Sequence, residues 1–411
     1  MKPLSRSSNS IKTSRGFVLM AALLLLGLVS MAVLLSSLSS TEAATQQALR
    51  TQLALKEAKE AVLGYILLDD PDPETTLKPG SIPCPDLDND NDNDFSDNIG
   101  ASCSLTGTYV ARFPGKNFRT GELRDASNEK LWYAVSPAFR TTTSAAINSS
   151  TPAELRIDSQ GEYVAVVIAP GAPLPGQVRS TSATRSAYLE DKNAGGTIQL
   201  VTTKALEEGE TAEQAKTKFN DRVIGISKKE WEDIVLRRVS AEVLKAINEK
   251  KSGAYFPWAT PLSKASAPLT VASSPPDPWM GVEDTLRGLL PARKLWPPKG
   301  EGDTWPKQQP WQSKNNWHQL VYYIIAPAFA SGGSATCGMP DDCLTLRSGS
   351  TETKNIKALI VFAGSAYLGQ TRSESSSVAD YLEGEENTNN DNVFELPAPG
   401  STSNDRFYII K

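Results

Sequence analysis

Residues 164–180 read VAVVIAPGAPLPGQVRS, and residues 358–373 read ALIVFAGSAYLGQTRS. In each, an apolar and largely β-branched run passes through small residues to Gly-Gln-x-Arg-Ser. The glutamine is followed 11 residues later by the tyrosine of a Tyr-Leu-Glu triplet, Gln177 to Tyr188 and Gln370 to Tyr381. An Asn-Asp-Arg triplet then leads into another apolar run, at Asn220-Asp221-Arg222 and at Asn404-Asp405-Arg406. Upstream, LWYAVSPAF (131–139) matches LVYYIIAPAF (320–329), and GTYVAR (107–112) echoes GLLPAR (288–293). A motif series that recurs in one order marks a repeated structural unit. The copies span about 84–226 and 288–411, as the motifs stand in the sequence. Their short β-branched and aromatic runs predict strands, so each unit is expected to hold a small antiparallel sheet supported by helices, an α+β class.

Between the copies, Ser227 and Glu230 form a capping-box pattern. Trp231, Ile234, Val235, Leu244 and Ile247 give the apolar stripe of a helix. Residues 252–287 are rich in Pro and Ser and read as a linker. The expected organisation is a leader at 1–16, a transmembrane and stem helix at 17–68, a first unit with its terminal helix at 69–251, the linker, and a second unit at 288–411. Arg179, Glu190 and Asp221 could form a polar site. Their recurrence in both halves favours hydrogen-bonding roles at turns and strand ends. Five of the eight tryptophans lie between Trp279 and Trp317. Such a cluster suits either a core or a glycan- or partner-binding surface, with Trp305 and Trp311 as candidates.

The chain has 411 residues, 39% hydrophobic and 22% charged, with a net charge of −5. This composition is that of folded material with no electrostatic footprint for nucleic acid. Residues 17–38, FVLMAALLLLGLVSMAVLLSSL, carry no charge and are long enough as a helix to span about 30 Å of hydrocarbon. Lys2, Arg6, Lys12 and Arg15 precede them. The positive-inside rule then places the N-terminus in the cytoplasm and the remainder outside, a single-pass inner-membrane protein with a periplasmic ectodomain. Residues 40–68 lack Gly and Pro until Gly64 and continue the helix, with Leu53, Ala54, Ala58, Ala61, Val62 and Tyr65 as the expected inner stripe.

The join Arg15-Gly16-Phe17, followed at once by the apolar run, resembles the signal of type IV pilin-like proteins and pseudopilins. The resemblance covers residues 12–68. It implies cleavage after Gly16 by prepilin peptidase, methylation of Phe17, and assembly with other pilin-like subunits through the N-terminal helix. Most pilins carry glutamate at the fifth residue after cleavage. Ala21 stands there, and the large tip pseudopilin of type II secretion also lacks that glutamate, so the resemblance points to a minor or tip subunit of a pilus or secretion filament without catalysis. The alternative is a signal-anchored glycan-binding protein or a carboxylate-dependent glycosidase.

Four cysteines fall into two local pairs, Cys84 with Cys103 and Cys337 with Cys343. Disulfides closing such loops contribute roughly 2–4 kcal/mol each. Asp86, Asp88, Asp90, Asp92, Asp94 and Asp97 occupy positions 1, 3, 5, 7, 9 and 12 of a loop resembling an EF-hand or dockerin calcium site. Asn91 holds position 6, where a left-handed turn is needed. One histidine, His318, and the distant cysteine pairs argue against a catalytic triad or a zinc site.

Overall fold

The computed structural model describes residues 15–67, 79–87, 89–91, 110–141, 145–180, 184–205, 210–211, 214–215, 217–265, 277–296, 315–339, 341–367, 370, 372, 377–389, 391–398 and 403–410; within 15–41, only the side chains of residues 24–26 and 30–31. Among the described residues it is a mixed α/β structure with three sheets. Helix α1 runs Arg15–Leu67. Strands β1 (Val110–Arg112), β2 (Trp132–Val135), β3 (Leu155–Ile157), β4 (Gln160–Ala169), β5 (Gln199–Leu200) and β6 (Arg222–Ser227) form the first sheet, with the short α2 (Asp191–Gly195) before β5. Helix α3 (Lys228–Glu249) follows β6 directly. Then come β7 (Arg287–Leu289), α4 (Ala292–Leu295), β8 (Val321–Ile325), β9 (Leu344–Ser348), β10 (Thr351–Ile356), β11 (Ala358–Phe362), α5 (Glu385–Thr388), β12 (Val393–Glu395) and β13 (Arg406–Ile410).

The two halves share one strand plan. In the first, β1 pairs with β2, β2 with β4, and β4 with β6, all antiparallel. In the second, β7 pairs with β8, β8 with β11, and β11 with β13, in the same sense. A Pro-Ala-Phe 3-10 turn follows β2 and recurs after β8. Beside this ladder, β3 pairs antiparallel with the start of β4 and parallel with β5. Likewise β9 pairs antiparallel with β10 and parallel with β12.

The expectation of small, purely antiparallel sheets is therefore corrected. Ten-residue β4 is long enough to hold β3 along one end and β2 and β6 along the other, which merges everything in the first half into six strands. In the second half the corresponding strands fall into a three-stranded and a four-stranded sheet, and Asn355, with φ 59°, stands near the end of β10 where the β9–β10 register shifts. The parallel pairs arise because α2 and α5 return the chain to the sheet edge before β5 and β12. Strands of two or three residues leave too little pattern to be read in advance.

The first sheet is buried on both faces. Tyr133, Val135, Ala165 and Val167 point to the main core, whereas Trp132, Ala134, Val166 and Ile168 enter a smaller cluster with Tyr188, Leu189 and Leu200. This is the period-two alternation of a pleated strand. The main core is continuous across both halves, running from Leu55, Ala58, Val62 and Ile66 of α1 through α3 to Tyr323, Leu359 and Ile410. Helix α3 is capped as its sequence predicts: the Ser227 hydroxyl accepts from the Glu230 amide and the Glu230 carboxylate accepts from the Ser227 amide.

Among the described residues no helix is long and apolar enough to cross a membrane. This corrects the expected transmembrane character of the N-terminal helix, and with it the single-pass inner-membrane and periplasmic placement. The described side chains of α1 lie mainly in its polar half, which carries Glu42, Arg50, Lys56, Glu57, Lys59 and Glu60. That half packs on protein. The expected inner stripe also shifts. Thr51, Leu55, Ala58, Val62 and Ile66 are buried, and Ala54, Ala61 and Tyr65 flank them, but Leu53 is exposed. At 100° per residue Leu53 lies on the opposite side of the helix from Thr51 and Leu55.

Trp231 marks the junction of α3 with the chain after α1. Its indole N–H donates to Gly80 O at 2.8 Å, and its ring packs edge-on against Phe139. Gly80 has φ 87°, and a Cβ there would lie 2.6 Å from the Trp231 ring. Gly80→Ala is expected to destabilise the protein by about 1–3 kcal/mol through strain and overpacking. Chemical denaturation followed by tryptophan fluorescence measures it; an unchanged midpoint would show that this junction yields easily.

Candidate functional site

The residues expected to carry function fall in separate places. Gly16 and Phe17 stand in the first turn of α1. Further along the same helix, Leu24, Leu25, Leu26 and Met31 are each 60–64% exposed. Three consecutive helical leucines fan over about 200° of circumference, so no single face of one domain could cover them. The other end of α1 is firmly held. Lys59 Nζ donates to Gly225 O at 2.9 Å and pairs with Glu230 at 2.6 Å. The Ala126 amide donates to Thr51 Oγ1, and Arg222 reaches Ala48 O. Burial pushes the Glu230 carboxyl up, but hydrogen bonds from Lys59 and Ser227 outweigh it and leave it below its ordinary value. Glu230 thus caps α3 and clamps α1 together.

Of the six aspartates in the proposed cation loop, Asp88, Asp92, Asp94 and Asp97 lie outside the described residues. Asp86 is buried, and its two oxygens accept the amides of Asn89 (2.6 Å) and Asn91 (2.9 Å). Asn91 has φ 76°, the left-handed backbone expected of position 6, and its side chain accepts from the Gly115 amide. Asp90 faces Lys116 at 4.0 Å. Among the described residues no group of three or more His, Cys, Asp or Glu side chains could hold a metal ion. Cys337 and Cys343 form a disulfide with Cα atoms 5.5 Å apart. Cys84 is also disulfide-bonded, and Cys103 lies outside the described residues.

The described members of the tryptophan cluster face the core. Trp279 and Trp317 are buried and Trp296 packs against the core, while Trp305 and Trp311 lie outside the described residues. His318 is fully buried edge-on against Trp279, and burial drives its pKa down to about 3. It remains neutral in the fold.

Arg179, Glu190 and Asp221 are brought together, with partners that spacing alone did not name. Gln177 Nε2 donates to Glu190 Oε1 at 2.8 Å, and the amides of Asn220 and Asp221 donate to Glu190 Oε2 at 3.1 and 3.2 Å. The Glu190 amide donates to Asp221 Oδ2 at 3.0 Å, which also accepts from Asn193 Nδ2. Arg179 donates to Gly171 O and to Gln177 Oε1, pairs with Glu129 at 3.2 Å, and stacks over Tyr188. The second half repeats this latch. Gln370 Nε2 donates to Glu383 Oε1 at 3.1 Å, the Asn404 amide to Glu383 Oε2 at 3.3 Å, and the Glu383 amide to Asp405 Oδ2 at 2.9 Å. Asn193 clasps both backbone groups of Val201, and Asn387 clasps Glu395 in the same way. The paired sequence motifs encode two copies of one loop-fastening network.

The sequence reading did not find the seam between halves. Asn315 is buried; its Oδ1 accepts from the Ile147 amide and its carbonyl from Asn148 Nδ2. Ser365 donates to Ser149 O at 2.8 Å and accepts from the buried Lys228. Arg372 reaches Ser150, and Arg406 pairs with Asp233 of α3. Arg372 and Arg406 belong to the repeated motifs, but the motifs do not name their partners across the seam, so only spatial convergence reveals it.

Comparison with family models, with curated proteins and with solved structures finds no match to the chain.

Val62→Asp would place a carboxylate in the α1 interface, where Val62 has no exposed surface. An unpaired buried charge is expected to cost several kcal/mol and to release the stem from the sheet. Limited proteolysis should then cut within residues 49–67; resistance equal to wild type would show that α1 is held by its polar contacts alone.

Proposed function

We propose that the chain is a minor or tip-type pilin-like subunit of a pilus or secretion filament, whose work is assembly and contact. One observation carries this reading. A single continuous helix is docked on the folded domain at one end and displays bare leucines around more than half its circumference at the other. An apolar helical surface of that breadth calls for neighbours on several sides, which a bundle of equivalent helices from other subunits supplies. Arg15-Gly16-Phe17 at the start of this helix is the place where prepilin peptidase would act, and Phe17 would become the methylated N-terminus. Ala21, in place of the glutamate of most pilins, suits a subunit at an end of the filament rather than within it. The doubled, cross-latched body would be the part presented for contact. The glycan-binding alternative draws no support from Trp279 and Trp317, since both are buried.

The deciding experiment is the intact mass of the protein from its native host, beside that of Gly16→Arg. A wild-type chain that begins at N-methylated Phe17, with the variant uncut, is the expected result. A wild-type chain that keeps its leader would overturn the reading.

Calcium at 86–97 belongs to the same proposal, as a stabiliser of the loop that Asp86 already folds around the Asn89 and Asn91 amides. Calcium at a hundred-fold excess over its Kd stabilises by about 2.7 kcal/mol. The unfolding midpoint is therefore expected to rise with calcium in wild type and to rise less in Asp92→Asn. Indifference of the wild type to calcium and to chelator would remove the ion from the proposal.

A further inference from the structure

Each latch contains an oxygen atom that its neighbours leave without a partner. Asp221 is 4% exposed and Asp405 2% exposed; in both the Oδ2 oxygen accepts the amide of the facing glutamate while Oδ1 meets no hydrogen-bond donor. What each aspartate faces, within hydrogen-bonding reach, is the carboxyl of Glu190 or of Glu383. Those glutamates already accept N–H bonds at both oxygens from Gln177, Asn220 and Asp221, or from Gln370 and Asn404, and so are held as acceptors. Two buried carboxylates side by side would repel, and an orphaned acceptor in the core is costly. A single proton between them removes both faults, turning the orphaned oxygen into a donor.

We propose that each half of the protein holds one shared proton, between Glu190 and Asp221 and between Glu383 and Asp405, and that loss of these protons unlatches the loops in both halves. Deprotonation would set two anions against each other where Gln177 and Gln370 fasten their loops to the starts of β6 and β13. The latch is therefore closed at neutral and acid pH and weakened under alkaline conditions.

The surrounding charges do not reverse this. In the first half Arg179 lies on the far side of Gln177 and is engaged by Glu129, while Asp125 accepts from Gly171. In the second half Arg372 favours the charged form of Asp405, and Arg406, Asp380, Tyr367 and Glu232 lie nearby. Burial first, and then the facing glutamate, still raise each aspartate far above its ordinary value, so that the pair keeps its proton up to about pH 8. A folded-state pKa raised in this way contributes stability that is fully present below the unfolded value and lost as pH rises through the folded one.

The test is the thermal midpoint between about pH 7 and about pH 9, in wild type and in the double variant Asp221→Asn, Asp405→Asn. Within this window His318, held low, and Glu232, raised to about 6, have finished titrating. Lys228 is common to both proteins. Asparagine keeps the accepting oxygen and puts an N–H where the proton would be. Wild type is expected to lose about 3 °C across the window, and the double variant to lose little. An equal fall in both, or none in wild type, overturns the proposal. A second measurement needs no variant: the infrared carbonyl band of a protonated carboxylic acid should be present in the native protein at neutral pH and vanish by about pH 9. Its absence at neutral pH also overturns the proposal, even if the double variant fails to fold.

Discussion

A carboxylate taken out of water must find donors or give up its charge, and in this protein that constraint is met twice by the same device. Glu190 and Glu383 are acceptors for backbone amides at the start of β6 and β13, and their own amides are held by Asp221 and Asp405. Around each exchange the glutamine, the clasping asparagine and the arginine stacked on tyrosine tie a long connection back to the sheet. Both four-stranded ladders are thereby closed at the same end. Without such a clasp, the segments between β4 and β6 and between β11 and β13 would carry buried polar groups with no regular structure to satisfy them.

The two halves then fuse into one body. Their apolar faces share a core with α3, and polar contacts through Asn315, Ser365 and Lys228 stitch the rim. Helix α1 joins that core by its last turns, and Lys59 meets the same Glu230 that caps α3. The orientation of the stem is thus coupled to the start of the central helix. Motion of α1 would disturb a cap worth about 1 kcal/mol as well as the buried stripe.

Much of this was legible beforehand. The recurrence of Gly-Gln-x-Arg-Ser, Tyr-Leu-Glu and Asn-Asp-Arg points to a repeat, and the capping box at Ser227 locates the start of α3, because side chain–backbone bonding and binary pattern are local. The stripe on α1 was misread at Leu53, since Ala, Leu and Lys alternate too evenly there to fix a phase until the partner surface chooses one. The tryptophans offered two readings, and burial separates them at Trp279 and Trp317. The expected membrane span rested on the uncharged run 17–38, and no described helix meets the requirement for crossing a bilayer.

By itself, the sequence determined the strand-forming runs, the duplicated motifs, the helix between them and the pairing of Cys337 with Cys343, all features set by neighbours close along the chain. Tertiary structure alone decided that β4 gathers six strands into one sheet while its counterpart in the second half is divided between two, that Asn315 and Ser365 stitch the halves, and that two carboxyls meet in each latch. These depend on contacts between residues far apart in sequence, as with Asn148 and Asn315 or Lys228 and Ser365. Such pairs leave no spacing to read, because it is the fold that makes them neighbours.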